Sequence, residues 1–232
     1  MDNKDKILTK KALGDSSKIA SLKASYAEDS QAKKKTYDAE ALLIVYPDYK
    51  IDTEIDYVGK IGGLGHAGVL LISQGGNTRY YEYGRYPTTD GTRGKVRNVP
   101  VPNAYIGSNG LATDDSLIRI LATLSSKSGQ NGKIEAAYFK NLNFEDMDSF
   151  AMTKLKESNP EYTEYKKDRE PYALTSNNCG TFAESVILKG GKISKPTIIN
   201  PSPTNIVDEY WEEGYDKVTY VPKEKMLVIN KQ

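Results

Sequence analysis

Ser176-Asn177-Asn178-Cys179-Gly180-Thr181-Phe182-Ala183 is where a polar turn becomes an amphipathic helix, and it carries the only cysteine of the 232-residue chain. Beyond Thr181 the apolar residues Phe182, Ala183, Val186 and Ile187 recur at helical spacing, and Gly190-Gly191 supplies the left-handed stop that follows a helix end. Cys179 therefore falls in the first turn. Unpaired backbone N–H groups and the positive end of the helix dipole favour a thiolate there, and the thiolate is the reactive form. A lone cysteine is also what a small buried hydrophobe looks like, so the reading depends on what the rest of the chain brings to it.

Composition narrows the function classes. A single cysteine cannot form a disulfide within the chain, so stability rests on packing, for which this length is ample. The formal net charge of +1 provides no concentrated basic charge for nucleic acid. The longest apolar runs, Ala41 to Tyr46 and Ala67 to Ile72, are strand-sized and well short of the roughly 20 residues of a spanning helix, so no membrane insertion is expected. Met1-Asp2-Asn3-Lys4-Asp5-Lys6 opens a polar stretch without the apolar segment of a secretory signal peptide. The expected setting is synthesis in the cytoplasm, with any export by a machine that reads no such signal.

Residues 1–36 read as a polar arm with one or two weak helices, its Lys33-Lys34-Lys35 run a solvated edge. A single domain is expected over 37–232. Ala41-Leu42-Leu43-Ile44-Val45-Tyr46, closed by Pro47-Asp48, suits a buried strand. His66 to Ser73 and Thr78 to Gly84, on either side of Gln74-Gly75-Gly76-Asn77, form a β-hairpin. Lys95 to Val101 is a third strand, and Ile134 to Phe139 a short fourth. Helices are expected after Thr113 or Asp114, with Leu117, Ile118, Leu121 and Leu124 on one face; from Phe144 to a stop at Asn159-Pro160; and from Pro203, capped by Ser202, to Gly214. Glu161 to Arg169 reads as a surface helix or loop, and Lys217 to Val221 and Met226 to Ile229 as closing strands. Strands clustered apart from helices indicate an α+β fold.

The chain's one histidine, His66, opens a strand just after the glycine-rich stretch Gly59 to Gly65. No Gly-Lys-Ser/Thr follows those glycines, so they are no phosphate loop. A thiolate–imidazole pair needs a ring to move the proton and a third polar group to hold that ring, and only His66 can supply the ring. If the hairpin turn holds three residues, with Gly at a bulge position, Glu82 shares the face of His66; with two or four residues, Tyr81 or Tyr83 does. Glu82 is the preferred orienting group and Asp48 the reserve. The backbone N–H of Cys179 is the first oxyanion donor, with Asn178, Asn177 and the Tyr172 hydroxyl as further candidates. Neither metal nor cofactor is expected, because one His and one Cys far apart offer none of the usual zinc spacings.

At these residues the chain resembles a known group. Gly65-His66-Ala67-Gly68-Val69 on one strand, Tyr80-Tyr81-Glu82-Tyr83 on the next, and Asn178-Cys179 with Phe182 at a helix start are similar to the circularly permuted branch of the papain-like NlpC superfamily. That branch includes the lecithin:retinol acyltransferase-like proteins, from which this chain differs in having Glu82 where they carry a second His. The stretches Gly65 to Ile72, Tyr80 to Tyr86 and Asn178 to Ala183 most resemble bacterial type VI secretion effectors of the TseH-like kind, over about residues 40 to 190.

The resemblance implies a papain-like sheet packed against the helix that bears Cys179. It also implies a cysteine amidase or endopeptidase with a Cys179-His66-Glu82 triad, delivered into a neighbouring cell's periplasm to cut peptidoglycan stem peptides. An immunity protein and a component of the secretion apparatus are the implied partners. The 17 Tyr against 4 Phe suit a wet groove for a polar chain. A protease, deamidase or acyltransferase acting on target-cell proteins or lipids is the alternative, and a non-catalytic binding module the second.

Overall fold

The apolar run beginning at Ala41 lies at the centre of a sheet. In the computed structural model, which describes residues 38–52, 60–61, 65–86, 93–198 and 200–232, it forms β1 (Ala39–Tyr46), buried at every position. A strand covered on both faces needs consecutive apolar residues, not alternate ones. Eight further strands follow: β2 (Ile51–Asp52), β3 (Lys60–Ile61), β4 (His66–Ile72), β5 (Thr78–Gly84), β6 (Lys95–Asn98), β7 (Ile134–Leu142), β8 (Asp216–Val221) and β9 (Met226–Asn230). Six of these join β1 in one seven-stranded antiparallel sheet in the order β6-β5-β4-β1-β7-β8-β9, while β2 and β3 pair separately. The expected arm over residues 1–36 lies outside the described residues.

Helices cover both faces. On one, α1 (Asp114–Lys127) sets Leu117, Ile120, Leu121 and Leu124 against Leu42, Ile44, Leu70 and Tyr80. Thr113 caps it, its side chain accepting from the Ser116 N–H. On the other lie α2 (Phe144–Ser158), α3 (Cys179–Ile187) and α4 (Pro203–Glu212), packed on Leu43, Val45, Val69 and Tyr81. The result is an α+β fold in three layers, with the cysteine-bearing helix against the sheet.

Two boundaries differ from expectation for local reasons. β7 runs past Phe139 to Leu142 because Asn141, at φ 59°, forms a bulge that lets pairing with Ala39 resume. β6 stops at Asn98, since Pro100 has no N–H to extend the ladder. Glu161 to Arg169 is turn and coil.

The hairpin between β4 and β5 determines which side chains share a face. Ser73 N–H donates to Asn77 C=O at 2.9 Å and Gly76 N–H to Ser73 C=O at 2.9 Å, enclosing Gln74, Gly75 and Gly76. Gly76 takes φ +81°, and a Cβ there would lie 2.2 Å from the Ala104 carbonyl oxygen. This is the three-residue turn with a left-handed glycine. It pairs Gly68 with Glu82, so His66 and Glu82 point from the same face.

Candidate active site

Cys179 is positioned by a reciprocal cap. The Asn178 side-chain oxygen accepts from the Thr181 N–H at 3.0 Å, and the Thr181 hydroxyl oxygen accepts from the Asn178 N–H at 3.0 Å. Both Asn178 amide hydrogens are also committed, to the carbonyls of Leu174 (2.7 Å) and Pro201 (2.9 Å). The Asn178 side chain is thus a structural cap without a free donor for an oxyanion. The Asn177 amide is likewise used, on Pro171 C=O at 2.9 Å and on the Tyr83 hydroxyl at 3.3 Å. Phe182, Ala183, Val186 and Ile187 bury the inner face of α3, fixing the sulfur at its first position.

His66 and Glu82 project from the sheet face that carries Tyr46, Tyr80 and Leu70, whereas α3 packs on the opposite face. His66 is the first residue of β4, at the strand's end, where it comes within electrostatic reach of the Cys179 side chain. The ring is stacked near Tyr46 (centroids 6.0 Å apart) and tilted against Tyr49 (5.1 Å). Its Nε2 lies 3.4 Å from Glu82 Oε2. Glu82 is fully buried. Its Oε1 accepts from the Tyr86 hydroxyl at 2.8 Å and from Arg97 Nε at 2.6 Å, with Arg97 Nη2 a further donor.

Gly68, opposite Glu82, is required by a close approach. A Cβ there would stand 2.2 Å from the Tyr80 hydroxyl oxygen, which itself hydrogen-bonds Tyr46 at 2.8 Å.

The electrostatics follow from this geometry. Burial opposes an imidazolium, but the hydrogen bonds and charges of Cys179 and Glu82 outweigh it and hold His66 up at about 9. Burial also opposes a carboxylate at Glu82, yet His66 and Arg97 bring it down to about 2. Burial pushes the Cys179 thiol up; His66, the Ala67 N–H and the Tyr172 hydroxyl together overcome that and lower it. The favoured state is a thiolate–imidazolium pair with a carboxylate behind it.

Of the remaining candidates, Tyr172 is at the sulfur. Its hydroxyl donates to Sγ at 3.9 Å, which places an O–H donor beside the sulfur. Asp48 is engaged elsewhere, its Oδ2 accepting from the Lys133 N–H at 3.3 Å. Three contributors escaped the sequence reading: Tyr86, Arg97 and the Ala67 N–H. Arg97 comes to face Glu82 through the β5–β6 register, which sets its cation directly across from the carboxylate.

A cavity of about 340 Å³ flanks α3, lined by Tyr83, Phe150, Asn177, Phe182 and Ser185 among others, but not by Cys179. Cys179 is only 3% exposed, so a substrate must displace what covers it. Among the described residues no group of three His, Cys, Asp or Glu side chains stands close enough to hold a metal, and no helix is long and apolar enough to cross a membrane.

The sequence profile of the family described as type VI secretion system effector, TseH-like, matches residues 41–195, a span containing Cys179, His66, Glu82, Tyr172 and Arg97. Among solved structures, the crystal structure of the type VI secretion system effector TseH is similar with a TM-score of 0.69 and 32% sequence identity, covering 86% of this chain and 100% of that one. No curated protein matches.

Proposed function

The chain belongs to the TseH-like family of type VI secretion system effectors, and on that premise we propose that it is a cysteine amidase or endopeptidase that cleaves peptidoglycan stem peptides. The observation that carries the reading is that His66 stands 3.4 Å from the Glu82 carboxylate and is acted on electrostatically by Cys179. In this reaction the Cys179 thiolate attacks the amide carbonyl carbon. The developing oxyanion takes hydrogen bonds from the Cys179 N–H and the Tyr172 hydroxyl. His66 gives its proton to the leaving amine as the C–N bond breaks, leaving a thioester. His66 then takes a proton from water, the resulting hydroxide equivalent displaces the thiolate, and the product carboxylate departs.

The sheet packed on the cysteine helix supports a permuted papain-like arrangement, with residues 37–232 as the catalytic domain and 1–36 as an arm. A TseH-like effector acts after transfer into a target cell, so the periplasm is the proposed site of action. The partners are a secretion-apparatus component and an immunity protein in the producer. Directing the chain to the periplasm or to the cytoplasm of a susceptible bacterium tests the target. Lysis only on periplasmic delivery, abolished by Cys179→Ala, is the expected result. Toxicity confined to cytoplasmic expression would overturn peptidoglycan as substrate and favour a protein or lipid target.

A further inference from the structure

Glu82 is the least solvated charge in the site, and its two oxygens are treated unequally. Oε1 receives three donors, from the Tyr86 hydroxyl and from Nε and Nη2 of Arg97. Oε2 has no hydrogen-bond partner among the described residues, and faces only His66 Nε2 at 3.4 Å. Arg97 is the cross-strand neighbour of Glu82, and its guanidinium carbon lies over the Tyr86 ring, 4.0 Å from the centroid. The Tyr86 hydroxyl that donates to Glu82 is also 3.4 Å from His66 Nε2. The other polar groups bordering this carboxylate, the hydroxyls of Tyr46 and Tyr80, are neutral and bonded to one another. The charges that face it are therefore those of His66 and Arg97.

We propose that Arg97 is a positioning residue of the site: braced on Tyr86, it pins Oε1 so that Oε2 is the oxygen presented to His66, and it balances the buried cluster. With sulfur and imidazole ionised, Cys179, His66, Glu82 and Arg97 sum to zero charge. Without Arg97 the same cluster carries one uncompensated negative charge, which opposes formation of the thiolate. A rotated Glu82 would also hold the ring less well, and the loss of either support moves thiolate formation to higher pH.

The inference rests on Cys179 and His66 being the reacting pair, and its test separates the two ideas. One cysteine in the chain gives one 13Cβ signal after labelling with [13Cβ]cysteine, and its pH titration reads the thiolate directly. In the otherwise unaltered full chain the signal should report thiolate well below the ordinary thiol range. Arg97→Met should raise the midpoint by about 0.5 to 1 pH unit, a roughly 3- to 10-fold loss of thiolate on the acid limb, and Arg97→Lys should restore part of it. In a Glu82→Gln background the same Arg97→Met change should shift the midpoint by less, since only the direct field of the guanidinium at the sulfur remains. Should Arg97→Met unfold the chain, Tyr86→Phe, which removes one donor to Oε1 without changing charge, supplies the same comparison in both backgrounds. An unmoved midpoint, or an equal shift in both backgrounds, overturns the role of Arg97. A wild-type cysteine titrating in the ordinary thiol range overturns the reacting pair itself.

Discussion

Replacing Glu82 by Gln should lower the pH at which His66 loses its proton. The wild-type imidazole stands at about 9 against an ordinary 6.5, and the difference corresponds to about 3 kcal/mol of preference for the imidazolium. Burial works against that preference, so the excess comes from two sources, the Cys179 sulfur and the Glu82 carboxylate. Glu82→Gln keeps the shape and an acceptor near Nε2 but removes the charge. Cys179 then acts alone against burial, and the midpoint should fall by about one to two pH units. The chain's one histidine gives a single Hε1 resonance, which makes the titration unambiguous.

The same values determine how stability varies with pH. The folded value of His66 exceeds the unfolded one, so its contribution is complete below about pH 6.5 and is lost as pH rises through about 9. For Glu82 the folded value, about 2, lies below the unfolded 4.5, so its contribution is present above pH 4.5 and is lost as pH falls through about 2. Cys179 opposes the loss at His66, because its folded value is lowered and its contribution grows as pH rises toward the ordinary thiol value, so wild-type stability should change little between about pH 7 and 9. A His66 midpoint within a few tenths of wild type in Glu82→Gln would refute the electrostatic reasoning.

Three further substitutions probe the frame of the site. Asn178→Ala removes the cap and the amide hydrogen bonds to Leu174 and Pro201; a loss of about 1–2 kcal/mol is expected from denaturant unfolding. Gly68→Ala drives a methyl into the buried Tyr80 hydroxyl. Overpacking of about 1–3 kcal/mol should lower the melting temperature by roughly 2–4 °C per kcal/mol, and an unchanged melting curve would mean that Tyr80 moves aside freely. Tyr172→Phe deletes the hydroxyl that donates to Sγ. On any substrate that is turned over, kcat should drop about 10²-fold with little change in KM, whereas a change in KM alone would assign Tyr172 to binding.

Much of this arrangement was legible before any coordinates. The apolar run at Ala41 announced a strand buried on both faces, and the cap and spacing around Cys179 announced α3 with the sulfur at its first residue. The hairpin was less determinate. Its face assignment depended on whether the turn held two, three or four residues, and only the Ser73–Asn77 and Gly76–Ser73 bonds decide this. What sequence could not resolve was the use of particular hydrogens. Asn178 beside a cysteine reads equally as cap or oxyanion donor until Leu174 and Pro201 are seen to take both amide hydrogens. Arg97 is far from Glu82 along the chain and becomes its neighbour through the register of an edge strand, which alternation alone does not set.

The central claim is that Cys179, ionised by His66, opens amide bonds in peptidoglycan and that water closes the reaction. Isolated sacculi incubated with the purified chain in H2(18)O, followed by mass spectrometry of the soluble fragments, measure this directly. The predicted result is release of stem-peptide fragments whose new carboxylate carries a single 18O atom, with none from Cys179→Ala. No release by wild type, or equal release by Cys179→Ala, would contradict it.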